Sequence, residues 1–439
     1  MMKTNLEDIS PVKKKLMVEI EAKEVDNRLE KAYRTYGKRA KIRGFRPGKI
    51  PRRILENYFA EQVMEDVTRE IVSDTLAQAM EETKTMPVSM PVIENETLKV
   101  NQNFKYSAVI EVRPEFELKD YKGLQVEKGI CSVSDKDVEG HLEEIRETHG
   151  KLINVDEDRH VKEGDYVIIE YEGFEGEKAL DGIKSHNFLL KIGSSDFHPD
   201  FEKALIGLNK GDESHVNVAF EESYYHSKLA GKSVSFRVKV IEIKEMELPE
   251  LNDEFARNLG ADFDSLDGLK EKIEEELIKR EEKRIDKELK ERILKQISED
   301  VSFELPESLV ESEIKYAIEN VRQNLIRAGS NIEKAGLKEE KLREDFRPAA
   351  ENRVKNMLIL GEIAKTDDLQ ISESELSEGF TEMAKSLGQD SEVLRQYYEA
   401  NNLVDSYKGK LLEEKTLNYL VKSASILEVA AGRIHGETE

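Results

Sequence analysis

Apolar positions change their period along the chain, and each change predicts a different kind of element. Leu16, Val18 and Ile20 alternate with Met17 and Glu19, the two-residue period of a half-buried strand. Val25, Leu29, Ala32, Tyr33, Tyr36 and Ala40 then recur at three- and four-residue spacing. That spacing predicts a helix, capped by Asp26, with its cations on the face opposite the apolar groups. A second helix is predicted through Ile54, Tyr58, Val63, Val67 and Ile71 towards Met80, stopped by Met86-Pro87 and Met90-Pro91. Phe104, Tyr106, Ala108, Ile110 and Val112 return to alternation before Pro114. Residues 1–115 therefore read as a small α+β domain. In residues 116–149, a structured connector, Ser134 to Asp137 opens a short helix with a capping box.

Residues 150–246 switch to strands at 166–171, 187–192, 215–220 and 234–243, separated by glycines, with Asp200 to Leu208 as the one helical stretch. This predicts a curled antiparallel sheet over a single helix. From 247 to 439 the pattern is helical and highly charged. Leu269, Ile273 and Leu277, then Ile285, Leu289, Ile293 and Ile297, repeat every four residues. Pro306 begins the next helix, Pro348 interrupts a third, and Ser372-x-x-Glu375 caps another. Heptads are not sustained, which argues against a coiled coil. Narrow apolar stripes on long helices predict projecting arms whose inner faces expose shallow apolar patches.

Composition narrows the class. Of 439 residues 36% are charged and 38% hydrophobic, with no Trp, which describes a folded, helix-rich chain with sparse cores rather than a disordered acidic one. Cys131 is the single cysteine, which excludes an internal disulfide and a cysteine metal cluster. The eight histidines form no HExxH pair, so no metal and no cofactor are expected. The N-terminus lacks an apolar core for export, and no run of eighteen apolar residues occurs, so a cytoplasmic location and no membrane partner are expected. Gly231-Lys232-Ser233 is not a phosphate-binding loop, because His226 stands where its first glycine belongs and a strand follows.

Two stretches carry candidate chemistry. Gly44-Phe45-Arg46-Pro47-Gly48-Lys49-Ile50-Pro51 combines four structure breakers with an aromatic that has no periodic face to join. Around it, residues 31–53 hold ten cations and no acidic residue in a chain of formal charge −24. A solvated basic face is the bland reading; oriented binding to a polyanion is the sharper one. The second stretch is the order Gly164-Asp165, Tyr171, Phe188, Gly193, Phe197, Phe201, Tyr224 and Phe236, an unusual supply of aromatics near turns. Any one of them could be ordinary core.

The octapeptide GFRPGKIP, together with the ELPEL segment at 247–251, resembles the trigger factor family of ribosome-associated chaperones, and the aromatic order resembles FKBP-type prolyl isomerases. The resemblance implies a multidomain α+β protein: an N-terminal ribosome-docking domain, an FKBP-like antiparallel sheet with one helix at 150–246, and an all-α C-terminal body with arms. It implies docking through Gly44, Phe45, Arg46, Pro47, Gly48 and Lys49 to rRNA and protein of the large ribosomal subunit near the tunnel exit, with nascent or unfolded polypeptides as clients. It places a prolyl-binding pocket at Tyr171, Asp181, Phe188, Phe201, Tyr224 and Phe236, with Phe201 as floor and Tyr224 hydrogen-bonding the substrate carbonyl. Leu180, Phe197 and His198 line the same pocket. Leu180 stands where that family often has Phe, His198 where an apolar residue is usual, and Asp200 where a Gly is usual. Three readings stay open: such a chaperone without ATPase activity, a free prolyl isomerase, and an RNA-binding or scaffold protein with a decayed isomerase fold. Whether the free protein forms a homodimer is not legible.

Overall fold

The computed structural model describes residues 2–429 other than 44, 46, 47, 96, 156–158, 177, 223, 225–228, 261 and 262. In chain order the elements are β1 (Met2–Ser10), β2 (Lys13–Ile20), α1 (Ala22–Arg39), α2 (Arg52–Glu82), β3 (Val92–Asn95), β4 (Phe104–Glu111), β5 (Gln125–Gly129), α3 (Asp135–Thr148) and β6 (Lys151–Asn154). There follow β7 (Tyr166–Glu175), β8 (Lys178–Lys191), α4 (Pro199–Leu205), β9 (Glu213–Ala219) and β10 (Ser233–Glu247). The chain ends in α5 (Asp253–Leu259), α6 (Leu266–Glu299), α7 (Glu307–Arg327), α8 (Glu339–Thr366), α9 (Glu373–Leu387), α10 (Ser391–Ala400), α11 (Val404–Ser423) and β11 (Ser425–Val429). These form two compact units, one of residues 1–128 with 286–429, the other of 129–285.

In the first unit, an antiparallel sheet of order β1-β2-β4-β3 packs Leu16, Val18, Phe104 and Ile110 against Val25, Leu29, Val63, Val67 and Ile71 of α1 and α2. Alternation on the strands and the helical stripe meet in one core, as their periods require. Two details differ from the sequence reading. Helix α1 starts at Ala22, four residues before the expected cap, because Asn103 Oδ1 accepts the Ala22 N–H at 3.0 Å and so satisfies one open donor of the first turn. Asp26 instead accepts the Asn101 N–H. Tyr58 is 67% exposed and off the buried face, which Leu55 takes instead.

Residues 116–126 lie extended along the helices of the same unit. Phe116 stacks on Phe303 with centroids 4.2 Å apart, and Val126 is buried with Leu289, Ile293, Ile359, Ile363 and Leu420. Tyr121 and Lys122 both donate to the Asp367 carboxylate. Helices α7 and α8 pair through Val310, Ile314, Ile318, Leu342, Val354 and Leu358. Here α8 continues through Pro348, where the sequence predicted an interruption. Proline lacks an N–H and crowds the preceding turn, at about 3 kcal/mol; the apolar side chains buried on either side of it, with Arg343 and Arg347 bound to Glu311 and Glu307, offset that loss.

The second unit holds the sheet β6-β10-β7-β8, with β9 also on β10. All its strand pairs are antiparallel. Strand β10 pairs β9 with its first half and β6 with its last residues, and a register shift between Val240 and Glu242 marks its bend. Helix α4 sends Phe201 and Leu205 into a core with Val167, Ile169, Leu190, Val216, Val234 and Phe236. Ahead of this sheet, the predicted capping box is present at Ser134 and Asp137, and α3 packs Val138 and Leu142 on Phe255, Leu269 and Ile273.

Candidate functional site

Strand alternation aims Tyr171 on β7, Phe188 on β8 and Phe236 on β10 towards α4, where Phe201 and the preceding Phe197 meet them. The Tyr171 ring lies 5.6 Å from Phe188, 5.4 Å from Phe197, 6.4 Å from Phe201 and 6.2 Å from Phe236, all edge-to-face. Such tilted contacts suit the positive edge and negative face of aromatic rings. Phe201 and Phe236 have no exposed surface. Phe197 covers them, with its ring 4.4 Å from Phe201 and 5.5 Å from Phe236. The rings that reach solvent are therefore Tyr171, Phe188, Phe197 and Tyr224, with Leu180 packed beside them. The Asp181 side chain lies outside the described residues.

Two features of this cluster were not read from the sequence. Phe220 is buried with its ring 4.6 Å from Tyr224 and 6.2 Å from Phe236; its place in the inward alternation of β9, after Val216 and Val218, was the available signal. The other is Glu202, 2% exposed. Its carboxylate accepts the N–H groups of Gly193, Ser195 and Phe197 at 2.9, 3.0 and 3.3 Å. Gly193 and Ser195 both have positive φ, so the loop turns its amides inward and forms an anion nest for a carboxylate from its own chain. Tyr224 donates its hydroxyl to the Phe197 carbonyl at 2.8 Å. His198 caps α4, its Nδ1 accepting the Asp200 N–H. The turn leading into β7 is tied separately: Asp165 accepts two bonds from Arg159 and one from the Lys162 N–H. Burial opposes its ionisation, yet the Arg159 guanidinium holds it below the usual carboxylate range.

The basic loop belongs to the other unit and lies between α1 and α2. Gly44, Arg46 and Pro47 lie outside the described residues. Phe45 is 38% exposed. Gly48 takes φ +77° and donates its N–H to the Gly37 carbonyl at 2.8 Å, a conformation glycine adopts without steric cost. Lys31, Lys38, Arg39, Lys41, Arg43, Lys49 and Arg53 are exposed and, among the described residues, form no ion pair. Arg34 and Arg52 bind Glu30 and Glu56 along their helices.

In chain order, a curled sheet that cups aromatics over one short helix falls between an α+β domain with a basic loop and a run of long helices, the layout of a multidomain chaperone carrying an FKBP-type domain. Comparison with known proteins makes the class definite. The family models "Bacterial trigger factor protein (TF)" and its C-terminus match residues 2–145 and 265–422, and that for FKBP-type peptidyl-prolyl cis-trans isomerase matches 157–241. Trigger factor of Geotalea daltonii is 39% identical over 98% of this chain and 98% of its own. That of Geotalea uraniireducens is 36% identical over 99% and 100%. A solved structure reported for promiscuous substrate recognition by the trigger factor chaperone covers 95% of this chain and 99% of its own, at 23% identity and a TM-score of 0.48. The chain belongs to the trigger factor family.

Proposed function

We propose that this protein is a ribosome-associated chaperone that works without ATP, receives nascent polypeptides at the tunnel exit, and accelerates prolyl isomerisation through its FKBP-type domain. The observation that carries the docking half is the set of exposed cations flanking Phe45 that, among the described residues, form no ion pair, on a chain of formal charge −24. A cationic loop on an anionic body finds phosphate in one orientation only, and a single exposed aromatic suits an apolar crevice better than the base stacking of a sequence-reading RNA module. Arg46→Glu with Lys49→Glu should abolish co-sedimentation with ribosomes and leave the fold intact. Wild-type binding should weaken steeply between low and moderate salt, as counterion release requires. Salt-independent binding by the double variant would remove the assignment.

For the isomerase half, the aromatic cluster supplies what the reaction needs. Rotation about the Xaa-Pro bond has a barrier of about 18–20 kcal/mol, because the planar amide is resonance-stabilised. The twisted state has lost that charge separation, so a dry aromatic wall favours it over the planar state. Tyr171, Phe188 and Phe197 offer such a wall, backed by Phe201 and Phe236, and no covalent chemistry is called for. Measured on a short Xaa-Pro peptide with Xaa apolar, residues 150–246 should accelerate interconversion, and Phe201→Ala should reduce the rate. An unaccelerated wild type would leave a binding domain only.

A further inference from the structure

The floor of the aromatic cluster is shut. Phe201 and Phe236 have no exposed surface, and among the described residues the rings that pack on both are Tyr171 and Phe197. The Phe197 and Phe201 centroids are 4.4 Å apart. A prolyl ring between them would need about 7–8 Å, two carbon contacts of about 3.5–4.0 Å each, so a ring must give way before substrate reaches the floor. Tyr171, Phe188 and Phe236 stand on paired strands, opposite Val238, Ile169 and Gly173, and Phe201 is sunk into the core from α4. Phe197 lies instead in the segment that joins β8 to α4, and it is half-exposed. Its backbone is pinned on both sides, the N–H donating to Glu202 at 3.3 Å and the carbonyl accepting from the Tyr224 hydroxyl at 2.8 Å. Rotation about the Cα–Cβ bond needs neither of those bonds to break.

We infer, resting on the isomerase reading above, that Phe197 is a gate over the prolyl site: its ring covers the floor in the free protein and turns aside as the prolyl ring takes its place. The wall that the free protein presents is then the closed form of the site. One apolar ring replaces another on Phe201 and Phe236, so the exchange leaves no polar group unpaired. Substrate meets an open site only in the fraction of molecules whose ring has turned, and its apparent affinity is reduced by that fraction.

Two measurements on the full chain test this. In the first, wild type carrying ¹³C-labelled phenylalanine is titrated with a short Xaa-Pro peptide of apolar Xaa and followed by NMR. The cross-peaks between the Phe197 and Phe201 rings should fade as the prolyl ring protons gain cross-peaks to Phe201. A Phe197–Phe201 contact that survives at saturation would place the substrate on top of Phe197 and overturn the inference, whatever the variants do. The second compares kinetics in Phe197→Ala and Phe197→Leu. Phe197→Ala should lower KM about tenfold, the factor for a gate open in about a tenth of the molecules, with kcat little changed and the same ratio for every apolar Xaa; Phe197→Leu should fall between it and wild type. A higher KM in both variants would make Phe197 a fixed part of the wall and overturn the gate, as would unchanged kinetics in both. An effect that varies with Xaa would assign the ring to the Xaa side chain and overturn it too. A wild type that neither exceeds the background rate nor shifts its phenylalanine resonances with peptide would remove the isomerase reading itself, a result distinguishable from all of these.

Discussion

Glu202 shows how one side chain organises the aromatic cluster without joining it. Its carboxylate gathers three amides of the loop that carries Phe197, part-buried N–H groups that would lose this shared partner without it. In Glu202→Gln the amide end can accept from one side only and turns an N–H₂ against the remaining donors. The variant should lose about 2 kcal/mol in denaturant unfolding and should broaden the amide resonances of Gly193, Ser195 and Phe197 selectively. Intact resonances with unchanged stability would show that the loop holds itself. Apart from Phe220, the aromatic members of the cluster could be read from residue order. Glu202 and the Tyr224–Phe197 bond could not, because hydrogen bonds to loop amides leave no period or spacing in a sequence.

At the scale of elements, what was legible followed the strength of the pattern. The stripes of α1, α2, α6 and α7 and the alternation of β2, β4, β7 and β10 repeat over enough residues to identify themselves. Strand β1 has only Leu6 and Ile9 as large aliphatic side chains within Lys3–Ser10, and it is a strand because β2 offers it a free edge, with Leu6 opposite Leu16. Strands β6 and β11 have only four and five residues and are exposed, and their partners lie far away in sequence. Pro348 misled for the opposite reason: a strong local rule gave way to packing. Since its ring faces solvent, Pro348→Ala should recover the missing N–H bond and raise stability by about 1–3 kcal/mol, read as a higher denaturation midpoint; a lower midpoint would mean that the proline itself is needed there.

Helix α9 carries a pH dependence. Lys415 Nζ binds Glu375 at 2.6 Å, and the Ser372 N–H and hydroxyl donate to the same carboxylate. Together they hold its pKa at about 2, below the usual 4.5. A lowered folded-state value means that the unfolded chain takes up the proton first. The contribution of this group is therefore complete above about pH 4.5 and is lost as pH falls towards 2. Following the Glu375 carboxyl carbon by NMR should give a midpoint near the lower value in wild type, and one closer to the usual value in Lys415→Met.

At the scale of the molecule, the chain reaches and leaves the FKBP-type sheet at one place: Lys151 and Glu247 are register partners on β6 and β10. Antiparallel partners stand about 5 Å apart, so joining them directly should leave the remaining chain able to fold. If the helical body holds unfolded chains, this shortened protein should still suppress aggregation of a refolding protein without ATP, as followed by light scattering. Each shallow patch of about 200 Å² contributes at most about 5 kcal/mol before ordering costs, so long clients that engage several patches should be favoured over short ones. Loss of suppression on removing residues 152–246 would move client binding into the FKBP-type domain.

The strap at residues 116–126 has a consequence for the protein's own birth. Its Phe116, Leu118, Tyr121, Leu124 and Val126 are covered by α6, α8 and α11, and the last of these is made only when synthesis has passed Leu420. At roughly 5–20 residues per second, the strap leaves the tunnel roughly 15–60 s before its cover is complete. The FKBP-type sheet, contiguous in sequence, can close during that wait. For that interval each new copy trails an apolar ribbon beside the ribosome that made it, where the docking proposed above would bring an older copy within reach of it.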